Sequence, residues 1–200
     1  MSIIKLGFLV SGCGTNMQAI FDACKEQTLL AKPVVVISNN SQSGALLRAR
    51  NENISNYHIS TYTHPDFEQV DATICRLFVD YQVNWVILAG YMKRLGPKTL
   101  ATFQKRILNI HPSLLPKYGG KGMYGRYVHE AVLNAGDKET GITVHLVDGD
   151  YDTGPIVAQT QVPVLQTDTV DTLAQRVLEQ EHIFYVKTLK RIFLEEIKLS

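Results

Sequence analysis

A chain of 200 residues that is 45% hydrophobic and 20% charged is expected to form one ordinary globular domain, which excludes a large multidomain assembly. Twenty basic against nineteen acidic residues leave a formal charge of +1, so the chain has no overall electrostatic attraction for nucleic acid or an anionic membrane. At this length a core buries roughly 70% of the surface exposed by the unfolded chain, and neither disulfides nor a structural metal are required to hold it.

Ile3 to Val10 reads as a buried strand, followed by Met17, Ile20, Phe21 and Cys24 at the spacing of one helix face. The run is too short to span a bilayer and lacks a basic leader, so no export signal is expected. Pro33 to Ser38 predicts a second strand, Gln42 to Asn53 a helix, Ser55 to Ile59 a strand and Asp66 to Tyr81 a helix. Trp85 to Ala89 continues the alternation, then a short helix near Pro97 to Gln104 and a strand over Arg106 to Ile110. A glycine- and proline-rich loop to Gly125 precedes a helix over Arg126 to Ala135. Gly141 to Val147 and Ile156 to Val162 read as an antiparallel pair, and Val170 to Phe193 as a long terminal helix. This order predicts an α/β fold: a single doubly wound, mostly parallel Rossmann-like sheet with an antiparallel pair near the C-terminus, in one domain over residues 1–200.

In such sheets ligands sit beyond the carboxyl ends of the strands. Ser11-Gly12-Cys13-Gly14-Thr15-Asn16 follows the first strand, where the amides opening a helix would face an anion. The third glycine of a dinucleotide fingerprint is replaced by Met17, the second strand ends in Asn39-Asn40 without an acidic residue, and no Gly-Lys-Ser/Thr is present. A phosphate monoester on a small substrate fits better than a dinucleotide. The plainer alternative is a tight turn made by Gly12 and Gly14, with Thr15 capping the helix.

Asn109 and His111 alternate onto the same side of their strand, which Pro112 terminates. An amide donor beside an imidazole suits a carbonyl that becomes a tetrahedral oxyanion. The turn Asp148-Gly149-Asp150-Tyr151-Asp152 supplies three carboxylates, any of which could raise the His111 pKa and keep the ring protonated near neutrality. It lacks the twelve-residue pattern and closing Glu of a calcium loop. Spacing does not choose among the three. Cys13, Cys24 and Cys75 are an odd set without C-x-x-C spacing, which predicts no metal site and a reducing, cytoplasmic location.

Four segments together carry a family resemblance: Ser11-Gly12-x-Gly14-Thr15-Asn16, Leu88-Ala89-Gly90-Tyr91-Met92, Asn109-Ile110-His111-Pro112-Ser113-Leu114-Leu115-Pro116, and His145-x-Val147-x4-Asp152-x-Gly154-Pro155. In this order, over about residues 4 to 186, the chain resembles the glycinamide ribonucleotide branch of the folate-dependent formyltransferases. The resemblance implies 10-formyltetrahydrofolate as co-substrate, without a metal, and the amine of 5-phosphoribosyl-glycinamide as acceptor, in purine synthesis. It implies Asn109 and His111 as oxyanion stabilisers, with His111 the general acid and Asp152 keeping it protonated. Gly14, Thr15 and Asn16 would hold the substrate phosphate. Met92, Lys93, Arg94, Leu95, Asn109, Val147 and Asp148 would line the folate pocket, and Glu181 would contact the glycinamide and ribose end. Read without the resemblance, Glu181 is a solvent-facing charge of the terminal helix. Phe67-Glu68 stands where members often carry Arg-Glu, and Tyr118 to Gly125 is longer and richer in glycine than the commoner pattern. The length leaves no room for the basic tRNA-binding domain or the regulatory domain of related enzymes. Small-molecule substrates, no nucleic acid or membrane, and a monomer or weak homodimer are the expected partners.

Overall fold

Alternating apolar runs and amphipathic stretches produce the expected sequence of elements in the computed structural model, which describes residues 3–199. They are β1 (Ile4–Leu9), α1 (Thr15–Lys25), β2 (Ala31–Ser38), α2 (Gly44–Asn51), β3 (Ser55–His58), α3 (Phe67–Asp80), β4 (Trp85–Leu88) and α4 (Pro97–Thr102). They continue with β5 (Ile107–His111), α5 (Arg126–Asn134), β6 (Glu139–Leu146), β7 (Ile156–Pro163) and α6 (Val170–Phe193). The strand order is β3-β2-β1-β4-β5-β6-β7. Parallel pairing runs through β3, β2, β1, β4 and β5, and β6 pairs antiparallel with β7.

The chain divides into two compact units, one ending at Asn109 and the other beginning at Ile110. In the first, the central parallel strands β1 and β2 are apolar on both faces: Leu6, Phe8 and Leu9 of β1 and Val35, Val36 and Ile37 of β2 are fully buried. Phe8 meets Phe21 of α1 edge to face, with ring centroids 5.2 Å apart. Burial of each of these two rings contributes about 1.5–3 kcal/mol.

Asp71 performs a second task in this unit. Almost wholly buried on α3, it accepts hydrogen bonds from the backbone N–H groups of Lys98 (2.8 Å) and Thr99 (3.1 Å) and from the Thr99 hydroxyl (2.6 Å). These are the first donors of α4, whose own cap residue, Gly96, offers no side chain. The carboxylate therefore fixes where α4 begins and where the preceding segment, Met92 to Leu95, must end. Asp71→Ala is expected to lower unfolding stability by about 2 kcal/mol, read from urea denaturation, with Asp71→Asn losing less. An unchanged midpoint for the alanine variant would show that the contacts are not stabilising.

In the second unit the buried positions of α6 include Leu173, Val177, Glu181, Tyr185, Thr188, Leu189 and Ile192. A reciprocal Thr169–Thr172 capping box starts this helix, and Arg176 holds Asp168 through two nitrogens at 2.6 Å each. Observed and predicted element boundaries differ by two residues or fewer, as expected where end residues fray.

Candidate active site

The glycine turn lies in the first unit. Gly14 is the N-cap residue of α1, with φ 73°, and a β-carbon there would approach the Ala45 methyl to 2.9 Å. Left-handed backbone and close α1–α2 packing thus both require glycine. The alternative in which Thr15 caps the helix is not what forms: Thr15 is the first helical residue, and no side chain caps α1. The turn is held from outside. Ser11 donates its hydroxyl to Asn39 (2.5 Å) and accepts the Met92 N–H (2.8 Å), while its own N–H donates to the Gly90 carbonyl (3.0 Å). The predicted anion turn and the predicted folate segment are therefore hydrogen-bonded to each other. In that segment Met92, Lys93 and Arg94 are exposed and Leu95 is buried.

Asn109 and His111 sit on β5, with Asn109 half-buried and His111 buried. In the second unit His111 meets the acidic turn, and the structure selects among its carboxylates. Asp152 places Oδ2 3.5 Å from His111 Nδ1, whereas Asp148 and Asp150 are exposed. The other carboxylate oxygen, Oδ1, lies 3.5 Å from Nε2 of the buried His145, so Asp152 stands between two imidazoles. The His145-x-Val147 pattern by itself gives His145 no part in the site; its contact with Asp152 does.

The glycine-rich loop supplies two backbone contacts. His111 Nε2 is 2.8 Å from the Tyr118 carbonyl, and the Gly120 N–H donates to Asp152 Oδ2 at 3.0 Å. A carbonyl can only accept, so Nε2 carries a proton and Nδ1 is the nitrogen left to titrate. Both Tyr118 (φ 57°) and Asp152 (φ 58°) adopt left-handed backbone, which residues with side chains reach only when their surroundings hold them there. Gly119 lies between these contacts. A β-carbon there would come within 2.5 Å of Leu115 Cδ2.

The expectation that Asp152 keeps His111 protonated near neutrality is corrected. Burial pushes the His111 pKa below its ordinary value; Asp152 and the Tyr118 carbonyl oppose that shift and His145 adds to it, without reversing the direction. Burial thus favours the neutral ring. Asp152 is itself held below the usual carboxylate range: burial works against this, but His145, His111 and the Gly120 N–H together prevail.

His129 on α5 is a further buried imidazole. Its Nδ1 has no hydrogen-bond partner among the described residues, and burial, with a smaller contribution from His111, takes its pKa from 6.5 to about 4. An unfolded chain binds this proton first, so stability is fully present above about pH 6.5 and declines as pH falls toward 4. The expected loss over that window is on the order of 3 kcal/mol from His129. His129→Leu should flatten the decline in denaturation curves taken at several pH values; an equally steep decline would assign it to other groups.

Glu181 is not the solvent-facing charge suggested by its residue type. It is 7% exposed, on the face of α6 that also buries Leu173, Val177 and Tyr185. A carboxylate so placed is seldom retained without a task.

A histidine with one nitrogen facing a carbonyl and the other beside a buried carboxylate, two residues after an amide donor on a strand end, has the chemistry to exchange a proton and to donate to a carbonyl oxygen that gains charge. Residues 4–189 match the formyl transferase family, and the chain belongs to it. Its relatives include phosphoribosylglycinamide formyltransferases. The one from Haemophilus influenzae is 39% identical over 93% of this chain and 85% of its own length. The chloroplastic enzyme of Vigna unguiculata is 41% identical over 96% of this chain, which spans 62% of the length of that relative. The crystal structure of glycinamide ribonucleotide transformylase 1 from Symbiobacterium toebii superposes with a TM-score of 0.88 at 39% identity, over 95% of this chain and 87% of that one. The chain is thus an enzyme of the phosphoribosylglycinamide formyltransferase branch, which serves purine biosynthesis.

Among the described residues, no helix is long and apolar enough to cross a membrane.

Proposed function

We propose that residues 1–200 act as one functional domain that moves the formyl group of 10-formyltetrahydrofolate to the amine of 5-phosphoribosyl-glycinamide, with Asn109, His111 and Asp152 as the reacting side chains. The observation that carries the assignment is the His111 ring, held by the Tyr118 carbonyl at Nε2 and facing Asp152 at Nδ1. The substrate amine attacks the formyl carbon, giving an oxyanion and an ammonium. Neutral Nδ1 takes the proton from the ammonium; the Asn109 amide and the new imidazolium stabilise the oxyanion. Collapse forms the substrate amide, breaks the bond to the folate nitrogen and returns the proton to that nitrogen. Asp152 stabilises the imidazolium between these two transfers.

Gly14, Thr15 and Asn16 take the substrate phosphate at the start of α1, and the tethered Met92 to Leu95 segment takes the folate with Val147 and Asp148. Glu181, buried rather than solvated, is assigned to the glycinamide and ribose end. The enzyme is proposed to work in the cytoplasm as a monomer or weak homodimer, with small-molecule substrates and without nucleic acid, membrane or metal.

Purified protein given both substrates should form formylglycinamide ribonucleotide without ATP, at a rate unchanged by a chelator. Formate release without transfer, or strict dependence on ATP or a metal, would overturn the reading. Inorganic phosphate should compete with glycinamide ribonucleotide and not with the folate; competition with the folate alone would displace the phosphate from the α1 turn.

A further inference from the structure

The contacts beyond His111 lead to a carboxylate outside the machinery described so far. Asp137, in the connection from α5 to β6, accepts the Tyr118 phenol hydrogen at Oδ2 (2.8 Å). The Lys117 ammonium reaches both of its oxygens, at 2.8 and 2.6 Å, and lies 5.0 Å from the centroid of the Tyr118 ring. The phenol is thus pinned on two sides, by an anion at its hydroxyl and by a cation over its face. Backward along the chain, the Ser113 hydroxyl donates to the Lys117 carbonyl at 2.6 Å.

Tyr118 also carries the contact that matters most to the imidazole. Its carbonyl accepts from His111 Nε2, and it does so from left-handed backbone at φ 57°. A tyrosine pays about 1–2 kcal/mol to remain in that region, so something outside its own backbone must hold it. The phenol-to-Asp137 bond is a side-chain restraint of that kind, with the Lys117 ammonium beside the ring. Two residues further on, the Gly120 N–H holds Asp152. One short stretch, anchored by Asp137, therefore touches both members of the His111–Asp152 pair.

We propose that Asp137 is a positioning residue for formyl transfer: through the Tyr118 phenol, with Lys117 completing the clamp, it keeps the Tyr118 carbonyl on His111 Nε2 and so leaves Nδ1 as the nitrogen that exchanges protons. This rests on the role given to His111 above. Lys117 is largely exposed, with 59% of its side-chain surface accessible, and its ion pair alone adds little. The phenol and the carboxylate form the effective part. The same residues border a cleft of about 250 Å³, so small changes at Tyr118 and Asp137 meet open space rather than a packed core.

The test compares the wild type with Tyr118→Phe, Asp137→Asn and Asp137→Glu. Turnover is measured against pH, and the ring nitrogens of His111 are followed by 15N NMR, with Tm as the check on folding. Tyr118→Phe and Asp137→Asn should lower kcat about 5- to 50-fold, since loss of an ångström of alignment costs up to about 100-fold. KM for glycinamide ribonucleotide should stay within about twofold, and the Nε2–H tautomer should give way to a mixture. Asp137→Glu, which can still accept from the phenol, should recover most of the loss. Folded Tyr118→Phe and Asp137→Asn variants with wild-type kcat, pH profile and His111 tautomer would overturn the proposal. Should the wild type transfer formyl groups while a folded His111→Asn variant does so equally well, the role of His111 fails instead, and the NMR signature then still reports whether the clamp orders the ring.

Discussion

His111→Asn is expected to lower kcat by about 10²- to 10⁴-fold while leaving KM for glycinamide ribonucleotide within a few-fold and the fold intact, the range for removing a positioned proton-transfer group. Asparagine keeps an amide near the Nδ1 position but is too short to restore the 2.8 Å contact that Nε2 makes with the Tyr118 carbonyl. It also cannot replace a nitrogen that takes and returns a proton near neutral pH. The pH profile sharpens the test. Burial depresses the His111 pKa, and neutral Nδ1 is the reactive form, so wild-type kcat should fall as pH drops through a value below 6.5. The asparagine variant should lose that acid limb along with its rate. A variant within threefold of wild type, or one that keeps the limb, would move the proton transfer to another group. Steady-state turnover from about pH 5 to 8 distinguishes these outcomes.

The elements were legible because their signals are local. Buried strands such as Val35 to Ile37 are apolar on both faces, and α1 repeats apolar residues every three or four positions, so no tertiary information is needed to find them. The site was legible only where side chains carry it. The Asn109, His111 and Asp152 motifs were visible, yet the Tyr118 carbonyl and the Gly120 N–H have no residue-type signature, since any backbone can supply them. Asp71 and Asp137 were missed for a related reason. Each acts on a residue far away in sequence, 27 positions for Asp71 and 19 for Asp137, and neither lies in a recognisable motif. Glu181 shows the converse error. Its spacing of four from Val177 and Tyr185 places it on the buried face, but its charge suggested solvent. The protonation state of His111 was misread because a neighbouring carboxylate is visible in sequence whereas depth of burial is not; here burial outweighs the charge.

Asp152→Asn is expected to lower kcat by about 10²-fold or more, with little change in either KM. The amide oxygen can still accept from Gly120, so the turn should keep its shape, and the left-handed conformation at φ 58° is one that asparagine tolerates well. The lost charge is what matters. It faces His111 Nδ1 on one oxygen and His145 Nε2 on the other, each at 3.5 Å, whereas Asp148 and Asp150 are exposed. The imidazolium formed after proton uptake then lacks its counter-ion in a buried setting, where an unpaired charge is most costly. The direction of the pH shift follows. Asp152 raises the His111 pKa against the effect of burial, so its removal lets that pKa fall further and should move the acid limb to lower pH as the plateau drops. Asp150→Asn, an exposed charge two residues away, should change neither limb nor plateau by more than about twofold. Movement of the limb to higher pH in Asp152→Asn, or equal losses in the Asp150 variant, would mean that the turn acts through its overall negative field rather than through one carboxylate paired with one ring.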